Sequence, residues 1–251
     1  METKSGTDRR PTYDPGTAAP PPAQKASVVE DFIDIFYAPS SVFARREQGG
    51  VGVPLLIVSL LFAGFSFASK SVFSQIFDAE FSRGMANAMA KNPRLTQDMV
   101  SSMRPVQEKI ASVFVYLGAP LAIFFTAILV WIVAKALSGK LSFGQSMLVS
   151  TLAFIPRLVG SLLGVVQVVL MDTAGFTNRY SLSMSPARFM DADATNPKVF
   201  ALVGSLDVFA IWMAVLIGIG MAVVGKMPRT KGYVGAAIVF VVATLLTSLF
   251  V

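Results

Sequence analysis

Five long stretches of the chain carry almost no charge, and polar or basic links separate them. Each stretch is about as long as the roughly 20 residues that an α-helix needs to cross a bilayer. We therefore predict an all-α, polytopic integral membrane protein. Its five transmembrane helices are predicted over about residues 49–69, 110–134, 145–171, 203–225 and 232–251.

The composition supports a lipid environment. Hydrophobic residues make up 54% of the 251 residues and charged residues only 14%, whereas soluble domains carry about 25%. The net charge of +6 comes largely from Lys and Arg that flank the spans, where membrane orientation selects for them. No nucleic-acid motif accompanies these charges. The predicted partners are membrane lipids and other membrane proteins, or the chain itself, and not nucleic acid.

The chain contains no cysteine and no histidine. Disulfides, thiolate nucleophiles and cysteine metal sites are therefore excluded, as are Ser-His-Asp triads and histidine zinc sites. The segment from Gly204 to Asp207 lacks the second glycine of the Gly-x-Gly-Asp motif of intramembrane aspartyl proteases. No second membrane aspartate completes a dyad. We predict a non-enzymatic protein with no catalytic residue, no metal site and no cofactor.

Three regions follow one another along the chain. Residues 1–26 are rich in Pro, Thr, Ala and charge, so we predict a disordered tail without a cleavable signal peptide. Residues 27–47 are predicted to form a short amphipathic segment before the membrane, opened by a capping box from Ser27 to Glu30. Residues 48–251 are the predicted five-helix transmembrane domain.

The pre-membrane helix combines an apolar face with an acidic one. Helices that adsorb to anionic lipid usually carry Lys and Arg on the polar face, whereas here the expected polar face consists of Glu30, Asp31 and Asp34. The helix is therefore predicted to dock on the membrane domain or on a partner protein. The docking residues predicted are Phe32, Ile33, Phe36 and Tyr37.

The link after the first span, residues 70–109, is predicted to hold two amphipathic helices separated by Asn92 and Pro93. Its Met-rich stripe offers an adaptable docking surface, or it packs against the membrane domain of the same chain. A second capping box, from Ser142 to Gln145, is predicted to open the third span.

The distribution of basic residues predicts the orientation. The short links at residues 135–140 and 226–231 contain basic residues and no acids, and five spans place them on the same side as Arg45 and Arg46. Basic density in short loops marks the cytoplasmic side. The N-terminus is therefore predicted to be cytoplasmic and the C-terminus outside, with the two longer links also outside.

Arg157 is the one charge near the middle of a predicted span, directly after Pro156. A charge at that depth costs at least about 2.5 kcal/mol and is a functional-site hypothesis by default. The functional interpretation is an anion or lipid-headgroup contact, or a gating charge. The structural interpretation is an arginine that snorkels or pairs within the bundle.

Asp207 is the candidate partner of Arg157. At about 1.5 Å per residue, Arg157 lies roughly 20 Å and Asp207 roughly 12 Å from the outer ends of their helices. Helical side chains lean toward their own N-terminus, which widens this gap. Direct pairing is therefore not favoured, and Gln167 is placed to bridge the two.

Small residues recur four apart in two spans. Gly160 and Gly164 form one such pair, and Ala214, Gly218 and Ala222 repeat the spacing in the fourth span. Such positions let helix backbones approach closely in lipid. They serve packing within one chain or dimerisation.

Three segments resemble the Yip (Ypt-interacting protein) domain family. They are Asp31 to Phe43 before the first span, Gly139 to Gln145 at the start of the third, and Thr151 to Pro156 within it, which is similar to the family's aromatic-x-x-Pro segment. The long first link and Tyr37-Ala-Pro39, where eukaryotic members tend to have a Gly-Pro pair, resemble the bacterial branch. Eukaryotic relatives act in vesicle traffic with small GTPases, and the residues for that role are not matched here.

The resemblance implies a five-span membrane domain of undefined activity in a bacterial inner (cytoplasmic) membrane. We predict a scaffold or accessory subunit that acts through its cytoplasmic helix and its outer Met- and Phe-rich helices. The alternative is a lipid or small-solute transporter or channel that uses Arg157.

Overall fold

The computed structural model describes residues 27–171, 176 and 178–249, which are helical apart from turns and short links. The predicted tail over residues 1–26 lies outside the described residues. The α-helices are α1 Val28–Asp34, α2 Pro39–Arg46, α3 Gly52–Lys91, α4 Gln97–Ala136, α5 Phe143–Ala153, α6 Ile155–Leu170, α7 Pro197–Gly204, α8 Val208–Val224 and α9 Arg229–Ser248. Two 3₁₀ turns, Arg179–Leu182 and Pro186–Phe189, lie between α6 and α7.

The all-α membrane architecture predicted from the sequence is confirmed. Within the described residues, four segments are long and apolar enough to cross a bilayer: Gly52–Ser71, Tyr116–Ala136, Phe143–Leu170 and Arg229–Ser248. A fifth span is present if α7 and α8, which meet at an angle of 59°, are counted together. The chain is thus a helical membrane protein with four spans or five.

The first two spans continue without interruption into the link between them. α3 and α4 each contain 40 residues, which is about 60 Å of helix and twice the thickness of a hydrocarbon core. The two helices predicted for the link are therefore the distal halves of α3 and α4. Asn92 ends α3, and the Thr96 side chain caps α4. We call residues 72–115 the hairpin, and this end of the molecule the hairpin end.

The opposite end carries α1, α2 and the basic links, and we call it the basic end. The hydrophobic core lies toward this end, around α5, whose residues Ser146 to Ala153 are all buried. Both hydrogen bonds of the capping box from Ser142 to Gln145 are present, as predicted. α5 packs between α4 and α8, which makes it the central helix of the bundle.

Small residues let the helices of the core approach one another. A Cβ added to Gly220 of α8 would lie 2.5 Å from the Val149 side chain of α5. A Cβ added to Gly232 of α9 would lie 2.5 Å from the Gly218 carbonyl oxygen and 3.0 Å from the Ala222 Cβ. Gly218 and Ala222 of the fourth span therefore pack within this chain.

Two predicted spans are interrupted. The third has a turn at Phe154, two residues before Pro156, and so consists of α5 and α6. The fourth, predicted over residues 203–225, begins instead with the short helix α7 and bends before Asp207. α8 alone has 17 residues, about 25 Å, which is slightly shorter than the hydrocarbon core.

Candidate functional site

The α1–α2 corner at the basic end is held by a cluster of charges around Asp31. Asp31 is fully buried, although its helical position placed it on the predicted polar face. Its Oδ1 accepts a hydrogen bond from Arg45 Nε at 2.5 Å, and its Oδ2 accepts one from Arg46 Nε. Arg45 also donates to Asp34 Oδ2 at 2.6 Å. Because a buried charge must be paired, this cluster orients α1 with Asp31 inward.

The orientation of α1 leaves part of its apolar side uncovered. Phe32 and Phe36 pack against the core, whereas Val29, Ile33 and Tyr37 are 64%, 57% and 70% exposed. Val29 and Ile33, four residues apart, share one face of α1, and Tyr37 lies in the turn that follows the helix. We call Val29, Ile33 and Tyr37 the α1 stripe. The predicted docking residues are therefore divided: two face the membrane domain and two face outward.

Glu47 ties the corner to two other parts of the bundle. Its carboxylate accepts a hydrogen bond from Lys226 Nζ at 2.5 Å, and its carbonyl oxygen accepts one from Gln145 Nε2 at 3.3 Å. The corner is thus attached to the link between α8 and α9 and to the start of α5.

On α1, the hydrogen bond from Arg45, together with one from Tyr37, lowers the pKa of Asp34 below its usual value.

Arg157 lies on the outer surface of the bundle, within α6. Its guanidinium carbon is 5.9 Å from the centroid of the Phe154 ring, a cation–π contact. None of the ion pairs in the described part of the chain includes Arg157.

Asp207 caps the N-terminus of α8. Its Oδ1 accepts hydrogen bonds from the backbone N–H groups of Phe209 and Ala210, at 2.9 and 3.3 Å. Its Oδ2 accepts the N–H of Met184 at 2.7 Å. The carboxylate therefore satisfies the start of α8 and holds the loop between α6 and α7. Its negative charge occupies the place where a broken membrane helix would otherwise attract an anion.

Gln167 does not bridge Arg157 and Asp207. Its Nε2 donates to the Leu182 carbonyl oxygen at 3.1 Å, and its Oε1 accepts from Arg188 at 3.0 Å. Gln167 therefore fastens the two 3₁₀ turns to α6.

Gly160 brings α6 and α8 together one turn beyond Arg157. A Cβ added to Gly160 would lie 2.7 Å from Cδ2 of the Phe209 ring. This contact places the start of α8 against α6 within one turn of Arg157. Gly164, one turn further on, is buried.

The described residues contain no group of three or more acidic side chains placed to hold a metal ion. Between α8 and α9, a groove lined by Ile211, Val215 and Phe240 among other residues is almost wholly apolar. The candidate sites are therefore two surface features: the exposed α1 stripe at the basic end and the exposed Arg157 in α6.

Several residues of these sites escaped sequence reasoning. Glu47 and Arg188 bind through tertiary contacts, which no local pattern predicts. Asp31 left one sequence signal, namely the adjacent arginines Arg45 and Arg46 in the next short helix. A pair of cations so close to a helix with three acids favours an ion-pair cluster.

Comparison with known proteins gives two matches. The profile of the Yip1 domain matches residues 33–251. Membrane protein YknW of Bacillus subtilis (strain 168) is 24% identical over 209 residues, which cover 82% of this chain and 83% of that protein. No solved structure matches the chain.

Proposed function

Because the chain belongs to the Yip1 domain family, the family it resembles in sequence, we propose that it is a non-enzymatic scaffold or accessory subunit of a bacterial cytoplasmic membrane. It works through contacts with another membrane protein. The bacterial membrane protein similar to it over most of both chains supports the compartment. The proposal depends mainly on the α1 stripe.

The α1 stripe is the observation that carries the proposal. Phe32 packs against the core, and Asp31 with its two arginines fixes the orientation of α1. Ile33 and Tyr37 therefore remain exposed. Contiguous exposed apolar residues rimmed by polar ones are typical of a protein or membrane interaction site.

A protein surface fits the α1 stripe better than lipid does. α1 contains no Lys or Arg, and its neighbouring residues Glu30 and Asp34 are acidic. Amphipathic helices that lie on anionic lipid are rich in basic residues on the polar face. The partner surface we propose is apolar, with basic residues at its rim opposite Glu30.

The basic links support an orientation for this contact. The basic end carries Arg45 and Arg46, and Lys226 and Lys231 lie in or beside its short links. Basic residues in short loops favour the cytoplasmic side. We therefore propose that the α1 stripe faces the cytoplasm and the hairpin faces outward.

Affinity purification in mild detergent tests the proposal. We expect a partner protein to accompany the wild-type chain and to be lost from the double variant Val29→Glu and Ile33→Glu, because two carboxylates desolvate poorly in an apolar contact. The matched control is Ala44→Glu, an exposed position on α2. This control is expected to retain the partner.

Two results would contradict the proposal. One is a wild-type chain that purifies from its native membrane without any partner. The other is a double variant that retains the same partner at wild-type abundance, since the α1 stripe would then contribute nothing to binding.

One observation favours the transporter alternative. Discontinuous membrane helices often line substrate sites, and here the turn at Phe154 and the bend before Asp207 both lie close to Arg157. The Asp207 carboxylate fills the N-terminus of α8, which weighs against an anion site there. The exposed Arg157 is the residue on which the alternative depends.

A further inference from the structure

The distal half of α4 carries an exposed apolar seam. The seam consists of Met99, Met103, Val106, Ile110 and Val113, which are 50%, 44%, 58%, 51% and 55% exposed. The membrane-spanning part of α4 begins at Tyr116, and Arg104, Glu108 and Lys109 alternate with the seam residues. Met99, Met103 and Val106 therefore lie among charged residues, where exposing neighbouring apolar side chains to water is unfavourable.

α3 does not cover the seam. Arg104 reaches α3 by donating to Asp78 at 2.8 Å, and its guanidinium lies 5.6 Å from the centroid of the Phe81 ring. Successive residues are about 100° apart around a helix, so α3 lies well to one side of Met103. Val100, on the side toward Arg104, is buried. The hairpin thus closes on one face of α4 and leaves the seam face open.

The spacing along the seam is that of a coiled coil. The residues follow at intervals of four, three, four and three, which is the repeat of alternating a and d positions. A strict repeat of 3.5 residues keeps an apolar seam facing one partner helix in a left-handed supercoil. The sequence of α4 therefore fits pairing with another helix along this face.

We propose that the seam pairs with the same seam of a second copy of this chain, as a parallel coiled coil beyond the membrane. All copies insert into the bilayer with the same orientation, so two α4 helices meet in parallel and at the same height. Met103 then lies opposite Met103, and Val106 opposite Val106. The Leu117 and Leu121 side chains continue the same exposed face into the span.

The charges beside the seam support a second copy over a different partner. Specific heteromeric coils choose their partner through charges at the flanking e and g positions. Here the flanking residues Ser102 and Gln107 are uncharged and the flanking Lys109 has no acidic residue at a flanking position beside it, while Arg104 pairs with Glu108 and Asp78 away from the seam. In a parallel pair, the two Lys109 side chains lie on opposite sides of the seam and do not repel at close range.

Membrane confinement makes a short coil sufficient. About two heptads form a weak coiled coil in solution, but tethering both helices to one bilayer converts pairing into an encounter at high effective concentration. This self-association does not depend on the α1 stripe, which lies at the other end of the molecule.

Disulfide cross-linking tests the pairing directly, because the natural chain contains no cysteine. The variants Met103→Cys and Val106→Cys place one thiol in the seam, and Ser101→Cys places one on the far side of α4 at an exposed position. After oxidation in intact membranes, we expect a covalent species of twice the chain mass from both seam variants and none from Ser101→Cys.

A second variant checks that the cross-link reports a packed seam. Val106→Glu is introduced into the chain that carries Ile110→Cys, and a loss of the covalent dimer is expected. Three results would overturn the proposal: no dimer from either seam variant, equal dimer from Ser101→Cys, or an adduct whose mass shows a different protein. Seam thiols that react with a lipid-soluble quencher and form no dimer would show that lipid covers the seam.

Discussion

Asp31 is a carboxylate with both oxygens occupied by arginine Nε groups from the following helix. Its burial removes it from water, so the two arginines replace the lost solvation. Arg45 and Arg46 remain partly exposed, which limits the cost of burying the cluster. At the scale of single residues, this cluster decides which side of α1 faces outward, and therefore which residues a partner can reach.

Asp31→Asn tests the cluster. Removing the buried charge takes away the carboxylate that Arg45 and Arg46 share, although Arg45 keeps Asp34, and is expected to destabilise the α1–α2 corner by about 2 kcal/mol. The measurement is limited proteolysis between α1 and α2, which reports local release better than global unfolding does. The control Asp34→Asn removes a partly exposed carboxylate that accepts from Arg45 and Tyr37 and is expected to change the cleavage rate far less. Equal rates for the two variants would contradict the assignment.

At the scale of secondary-structure elements, the main feature is the contact between α6 and α8. α8 is too short to cross the bilayer with ease, and its N-terminus is held by Asp207 and by the ring of Phe209 against Gly160. The bend before α8 lets α7 turn aside, where Phe200 packs on Tyr180 with ring centroids 4.9 Å apart. The loop between α6 and α7 is thereby drawn onto the bundle through Gln167 and Met184.

Gly160→Ala tests this element contact. Alanine favours a helix over glycine by about 1 kcal/mol, but the added Cβ would lie 2.7 Å from the Phe209 ring and force it aside, so a net loss of about 1 kcal/mol is expected. Gly64→Ala in α3 is the matched control, because a Cβ there meets nothing within 4 Å. Thermal unfolding in detergent should show a lower midpoint for Gly160→Ala only. Phe209→Leu is expected to relieve the loss, and its failure to do so would contradict the proposed contact.

At the scale of the whole molecule, local sequence patterns predicted the features that are determined by residues close together in the chain. Apolar length predicted the membrane helices, and side-chain spacing predicted both capping boxes. The resemblance of short segments to the Yip domain family is confirmed by the match over residues 33–251.

Other features depend on contacts between distant elements, and sequence reasoning missed them. The acidic side of α1 was expected to face water, but Arg45 and Arg46 draw Asp31 inward. The depth of Asp207 was estimated for a straight span, and the bend at 59° changes it. The hairpin also was not foreseen as a continuation of the spans, because polar residues interrupt the apolar pattern without interrupting the helix.

Arg157→Leu separates the two functions proposed for the whole molecule. A scaffold loses little from the change, because Arg157 takes part in no ion pair among the described residues and lies at the surface of the bundle. A transporter would lose the one charge that faces out of α6. We expect unchanged abundance, unchanged partner recovery in mild detergent, and unchanged lipid or solute movement in intact cells. The control Gln167→Leu removes the Leu182 and Arg188 contacts and reports damage to the loop alone. Lost movement in Arg157→Leu with abundance and partners intact would replace the scaffold with the transporter, because only a role for the charge in translocation produces that combination.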